Sequence, residues 1–133
     1  MLLKSERLAG VHPDLVKVMK KAAESCPFDI MILEGVRSIE RQRKLVDQGA
    51  SQTMDGRHLI GKDGLGHACD AAPVLDTDGD GDTEISWAWP HYHVMAPYIK
   101  QAALDLGIKL YWGGDWTKFK DGPHWELPKA LYP

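Results

Sequence analysis

The 133-residue chain is 44% hydrophobic and 26% charged, with 13 glycines and 8 prolines, a composition that supports one compact domain and argues against a disordered chain. A formal net charge of −3 without a basic stripe argues against a nucleic-acid partner. Two cysteines, Cys26 and Cys69, lack CxxC spacing and suit a reducing compartment as small buried hydrophobes. The first residues lack a signal peptide's apolar run and no segment is long enough to span a membrane, so the expectation is a protein made in the cytosol and not inserted in a bilayer.

Pro13 marks a first helical position, and Leu15, Val18, Met19, Ala22 and Cys26 recur at helical spacing, predicting an amphipathic helix to about Cys26 that Pro27 stops. Phe28 to Leu33 is a nearly continuous apolar run and reads as a buried strand. Gly35 breaks it, and Ser38 stands as the N-cap of a polar helix from Ile39 to about Gln48, closed by Gly49. Ala50 to Leu65 reads as loop and carries Arg57 and His58. Gly66 to Ala72 reads as a strand of small residues. After an acidic turn from Asp76 to Asp82 comes a short strand near Glu84–Trp87. Pro90 opens the longest helix, with Tyr92, Met95, Ala96, Ile99, Ala103 and Leu106 at helical spacing and Gly107 at its end. Ile108 to Trp112 is a further strand, followed by a loop rich in Gly and Trp. Helices and strands mix without regular βαβ alternation, so the predicted class is α+β, an antiparallel sheet flanked by helices.

The densest chemistry lies in Asp121-Gly122-Pro123-His124-Trp125-Glu126. Gly122 and Pro123 favour a turn running into an extended segment, on which His124 and Glu126 share a face and Trp125 takes the other. That suits a metal ligand beside proton-handling carboxylates. A zinc hydrolase needs three protein ligands and an open position. Asp70 is a second candidate, among the small residues Gly66, Ala68, Ala71 and Ala72. On a strand His67 faces away from Asp70, which favours His58 as the further candidate, beside the plainer reading of a surface loop histidine.

A second constellation is Asp76-Thr77-Asp78-Gly79-Asp80-Gly81-Asp82-Thr83-Glu84. Acidic residues at alternate positions with Gly81 at the sixth copy the first half of an EF-hand loop. Asp76, Asp78, Asp80, Asp82 and Glu84 are thus candidate calcium ligands. The closing Glu is replaced by Trp87, so Glu84 or another segment would have to supply it. The plainer reading is a solvated hairpin turn. His91 and His93 form an H-x-H pair, but residues two apart on a helix do not share a face. Trp87, Trp89, Trp112 and Trp116 could line a groove, with at least two of them expected in the core.

Several short motifs, weak singly, are specific in their order. They are Glu34-Gly35-Val36-Arg37-Ser38 with Glu40-Arg41-Gln42, then Gly49-Ala50-Ser51, Arg57-His58 and Gly66-His67-Ala68-Cys69-Asp70, and finally Trp112-Gly113-Gly114-Asp115-Trp116 and Asp121-Gly122-Pro123-His124-Trp125-Glu126. From about Val11 to Pro128 the chain resembles the VanY-like zinc peptidases related to D-Ala-D-Ala carboxypeptidases and vancomycin-resistance dipeptidases. It is most similar to the phage endolysins that act as L-alanyl-D-glutamate endopeptidases.

The resemblance implies a single hedgehog/DD-peptidase-like domain over residues 1–133, with no separate wall-binding domain. It places zinc on His58, Asp70 and His124, the catalytic carboxylate on Asp121 and a substrate-holding arginine on Arg37. Asp70 follows His58 by twelve residues, more than is usual in the family, so the region Lys62 to Gly66 has to loop out, and His67 stands as the alternative first ligand. Position 56 is Gly where many relatives carry Ser. Asp121 would take a proton from the attacking water and pass it to the departing amine, while the fork of Arg37 suits a substrate carboxylate or carbonyl. Glu126 would orient a ligand or line the cleft. The implied activity is cleavage of peptidoglycan stems between L-Ala and D-Glu by a monomer that waits in the host cytoplasm until released for lysis. Two alternatives stand beside it: a D-Ala-D-Ala carboxypeptidase or dipeptidase, and a non-catalytic metal-dependent wall-binding module.

Overall fold

The computed structural model describes residues 1–49 and 56–133; Ala50, Ser51 and the first part of the predicted 50–65 loop lie outside the described residues. The elements are β1 (Leu2–Leu3), α1 (Pro13–Ser25), β2 (Asp29–Glu34), α2 (Ile39–Asp47), β3 (Ala68–Leu75), β4 (Glu84–Ile85), α3 (Trp89–Leu106), β5 (Tyr111–Trp112) and β6 (His124–Glu126). The strands form one sheet in the order β1-β2-β3-β6-β5, with β4 also paired to β3.

Local chemistry explains the helix starts. The ring of His12 accepts the Asp14 N–H ahead of Pro13, and the Ser38 hydroxyl accepts the Arg41 N–H, so each helix has one of its orphan donors satisfied. The apolar stripe of α1 (Leu15, Val18, Met19, Ala22) and that of α3 (Met95, Ala96, Ile99, Ala103) are buried in one core with Ile30 and Ile32 of β2 and Cys69, Ala71 and Ala72 of β3. Each such large aliphatic side chain contributes about 1.5–3 kcal/mol by leaving water. Among the described residues no helix is long and apolar enough to cross a membrane.

The α+β expectation holds, with three local differences. Leu2–Leu3, expected as part of a lead, pairs parallel with Ile30 and Met31, so the sheet is antiparallel except at this edge. β3 runs past Ala72 through Pro73. The Ala71 N–H donates to the Pro123 carbonyl beside β6; two residues on, Pro73 has no N–H to offer, and there pairing with β6 has ended and pairing with β4 begins. The strand predicted from Ile108 begins only at Tyr111, because the Ile108 N–H closes back on the Ala103 carbonyl beyond the left-handed Gly107 that caps α3.

Candidate active site

β3 is central, and its register builds the site. Asp70 stands opposite Glu34 of β2 on one side and His124 of β6 on the other, a row of three polar side chains across the sheet. Its neighbours Cys69 and Ala71 point into the core, so alternation turns Asp70 to the other face. There it lines a cavity of about 760 Å³ together with Arg37, His58, Asp121 and His124.

His58 reaches this point from the loop before β3. The ring is buried, with Nδ1 2.9 Å from the Gly35 carbonyl and Nε2 3.3 Å from Asp70 Oδ1. A carbonyl only accepts, so Nδ1 carries the proton and Nε2 turns its lone pair inward. Gly35 owes its identity to this corner: a Cβ there would lie 2.2 Å from the Arg7 carbonyl oxygen. His124 is held the other way round, with Nε2 2.9 Å from Glu126 Oε1 and Nδ1 3.5 Å from Asp70 Oδ1. Ligand atoms of His58, Asp70 and His124 lie within 4.8 Å of one another.

Asp70 Oδ1 is buried and has no hydrogen-bond partner among the described residues. An unpartnered carboxylate oxygen facing two imidazole nitrogens calls for positive charge at their common focus. Two imidazoles and one carboxylate with a fourth side open to a cavity are the donor set of a catalytic zinc site, and the residues present fit it. Burial opposes charge on both groups, yet the mutual attraction wins. His124 and His58 hold the Asp70 carboxyl well below the usual carboxylate range, and Asp70 and Glu126 push His124 up to about 9. A cation held there would compete with the proton on His124.

His67, the alternative ligand, lies elsewhere. Its ring is fully buried beside those of His12 and Tyr132, and its Nε2 is 2.8 Å from Asp63 Oδ2 in the lengthened loop. Arg37 is in the cavity wall, but its fork is engaged. Nε and Nη2 hold the two oxygens of Glu34 at 2.8 and 2.9 Å, Nη1 holds Gln42 Oε1 at 2.8 Å, and Nη2 stands 3.8 Å from Asp70 Oδ2. The hydrogen bonds from Arg37 hold the Glu34 carboxyl below its ordinary range.

Asp121 sits in a tight turn, its N–H donating to the Gly113 carbonyl and its own carbonyl accepting the His124 N–H. A Cβ on Gly113 would lie 2.4 Å from the Asp121 oxygen and 3.0 Å from His124 Cβ, so only glycine lets the loop close behind both residues. Burial, and next the charge of Asp70, raise the Asp121 carboxyl above the ordinary value. A carboxylate that binds its proton more firmly is better suited to accept one during reaction.

Over residues 3–127 the chain matches the model of a family described as phage L-alanyl-D-glutamate peptidase. The chain belongs to this family. It is 33% identical over 131 residues to the L-alanyl-D-glutamate peptidase of Escherichia phage T5, covering 96% of this chain and 87% of that one. The peptidoglycan L-alanyl-D-glutamate endopeptidase CwlK of Bacillus subtilis (strain 168) is 29% identical, with 90% and 74% covered. The crystal structure of the L-Ala D-Glu endopeptidase ChiX of Serratia marcescens matches with a TM-score of 0.86 at 38% identity, covering 100% of this chain and 94% of that one.

Within this phage-type peptidase, two supports of the site had no role assigned from sequence. The Gly35 carbonyl fixes the His58 tautomer, and Glu34 holds Arg37 beside Asp70. The Gly35 carbonyl lies 23 residues from His58, and no local pattern announces it; Glu34 stands three residues before Arg37, a spacing at which the ion pair could have been read. Glu126 was legible, since it shares an extended face with His124, and it takes the orienting option. Glu126→Gln is expected to weaken zinc binding by roughly 10- to 100-fold with the fold unchanged, measured by competition with a chromogenic chelator.

The acidic loop forms a separate cluster, and none of its residues lines the cavity. Carboxylate oxygens of Asp76, Asp78, Asp80 and Glu84 lie within 4.8 Å of one another; Asp82 is not in that group. Glu84 folds in where Trp87 offers no carboxylate and accepts both the N–H and the hydroxyl of Thr77. Of the four tryptophans considered for a groove, only Trp112 is in the core, not the two expected, where it stacks on Trp125; Trp116 packs against the His124 ring in the cavity wall, and Trp87 and Trp89 are exposed.

Proposed function

We propose that this chain is a zinc-dependent endopeptidase that hydrolyses the bond between L-Ala and D-Glu in the peptide stem of bacterial peptidoglycan. The observation that carries the reading is the convergence of His58 Nε2, Asp70 Oδ1 and His124 Nδ1 in a cavity whose wall also holds the unattached carboxylate of Asp121. Zinc held by His58, Asp70 and His124 would supply an activated water and a Lewis acid for the scissile carbonyl. Asp121 accepts the proton of the attacking water and returns it to the departing D-Glu amine, which needs one carboxylate that is not itself a ligand. Gly35 and Glu126 keep the two imidazoles in the tautomers that offer their lone pairs inward. Arg37, held by Glu34 and Gln42, keeps Asp70 in place and presents its remaining N–H groups to the cavity. The enzyme would do this work at the wall, after release from the cytosol in which it is made.

Mass spectrometry of fragments released from purified peptidoglycan tests the reading. New L-Ala C-termini and D-Glu N-termini, lost on zinc chelation, are expected. Release of terminal D-Ala would assign the carboxypeptidase activity, and wall binding without any cleavage would assign the binding module.

The acidic loop carries a separate expectation. Calcium at about one hundred times its dissociation constant should raise the unfolding midpoint by roughly 10 °C, and Asp78→Asn with Asp80→Asn should remove that shift. An unchanged midpoint in calorimetry would leave the loop as a plain hairpin turn.

A further inference from the structure

The cavity that holds the zinc ligands is lined by the carboxylates of Glu34, Asp70, Asp121 and Glu126. Such a wall repels an anionic substrate, yet the stem peptide brings an anion close to the reacting atoms. D-Glu is joined onward through its side-chain carboxyl, so its α-carboxylate is free. Standard bond lengths put that carboxylate carbon about 2.5 Å from the scissile nitrogen. Whatever binds it must therefore stand beside the group that serves that nitrogen, which is Asp121 on the reading above.

The cations of the cavity wall are not equally available. Arg37 is committed to Glu34 and Gln42. Arg57 gives Nη2 to the carbonyls of Leu127 and Tyr132 at 3.0 and 2.7 Å. Lys129 has an interaction of its own. Lys118 lines the same cavity, three residues before Asp121, and makes no hydrogen bond or ion pair among the described residues. Beside it Phe119 adopts the left-handed region at φ 52 and is 72% exposed while lining the cavity. A non-glycine residue held in that conformation, with its ring left in water at a cavity wall, marks a segment shaped for something other than packing.

We infer that Lys118 is a specificity-determining residue that binds the free α-carboxylate of the D-Glu residue, with Phe119 covering the same part of the stem peptide. This rests on the endopeptidase reading and deepens it: the substrate preferred is the stem with D-Glu, over the stem in which that carboxyl is amidated to D-isoglutamine. Arg37 then keeps its positioning role at Asp70 and is not the carboxylate anchor.

The test compares kcat/KM on two synthetic stem peptides, one with D-Glu and one with D-isoglutamine, for the zinc-loaded wild type, Lys118→Met and Lys118→Arg. Lys118→Met is expected to lose roughly two- to fivefold on the D-Glu peptide, chiefly in KM, and nothing on the amidated peptide, the size of a solvent-exposed ion pair. Lys118→Arg should retain most of the preference. Equal losses on both peptides, or no loss on either, would overturn the assignment. A wild-type enzyme that cuts neither peptide after L-Ala would instead overturn the endopeptidase reading, and this assignment with it. Zinc content and circular dichroism of each variant show that the comparison is made on folded, loaded enzyme.

Discussion

Asp121→Ala is expected to lower kcat on peptidoglycan by roughly 10²- to 10⁴-fold, the usual range for loss of a positioned proton carrier. Zinc content and the unfolding midpoint should stay near those of the wild type. The reason is geometric. The Asp121 backbone, not its side chain, ties the turn to Gly113 and to His124, so truncation at Cβ leaves the ladder intact. The carboxylate is disfavoured where it stands, by burial and by Asp70, and among the described residues its side chain accepts no hydrogen bond. Its removal is thus tolerated by the fold and costly only to the reaction. Turnover of the variant at the wild-type rate would remove Asp121 from the mechanism and leave the proton to Glu126 or to bulk water.

The paired substitutions His58→Ala and His67→Ala separate two buried histidines that the chain places within ten residues of each other. His58→Ala should abolish tight zinc binding and with it lysis, because one of only three protein ligands is gone and the Gly35 carbonyl loses its partner. His67→Ala should keep zinc and activity at moderate temperature. It should nonetheless lower stability by about 1–3 kcal/mol, since a fully buried ring is deleted and its hydrogen bond to Asp63 is lost. Zinc stoichiometry by atomic emission and denaturant unfolding read the two effects independently. Zinc lost from the His67 variant and kept by the His58 variant would exchange the two roles.

The lengthened spacing between His58 and Asp70 has a physical solution that explains this division. The Gly61 N–H donates to the Leu65 carbonyl, Asp63 accepts the Leu65 N–H, and Asp63 also holds His67. The added residues therefore fold as a self-bonded turn outside the sheet. The His67 N–H still reaches the Arg57 carbonyl, and Arg37 N–H reaches the His58 carbonyl, so His58 is pinned beside Gly35 whatever the length of chain that follows.

Much of this was local enough to read directly. The stripes of α1 and α3, the caps at Ser38 and Gly107, and the alternation that sends Asp70 away from His67 depend on residues a few positions apart, where periodicity and steric preference act without help from the rest of the chain. The identities of His58, Asp70, His124 and Asp121 as candidates came from the order of motifs. Other features were settled only when distant segments met. Leu2–Leu3 is a strand because Ile30 and Met31 offer it an edge, and β5 starts late because the end of α3 takes Ile108 first. Which nitrogen of His58 faces the centre is decided by the Gly35 carbonyl of another segment, whereas Glu126 for His124 and Glu34 and Gln42 for Arg37 are near neighbours in the chain. Sequence by itself determined which residues could bind a metal or carry a proton, because that is a property of side-chain chemistry and short-range spacing. Tertiary structure decided where they converge, because Glu34, Asp70 and His124 meet only through the pairing of β2, β3 and β6, and hydrogen bonds are directional, so the Gly35 carbonyl orients His58 only once the loop has folded against it.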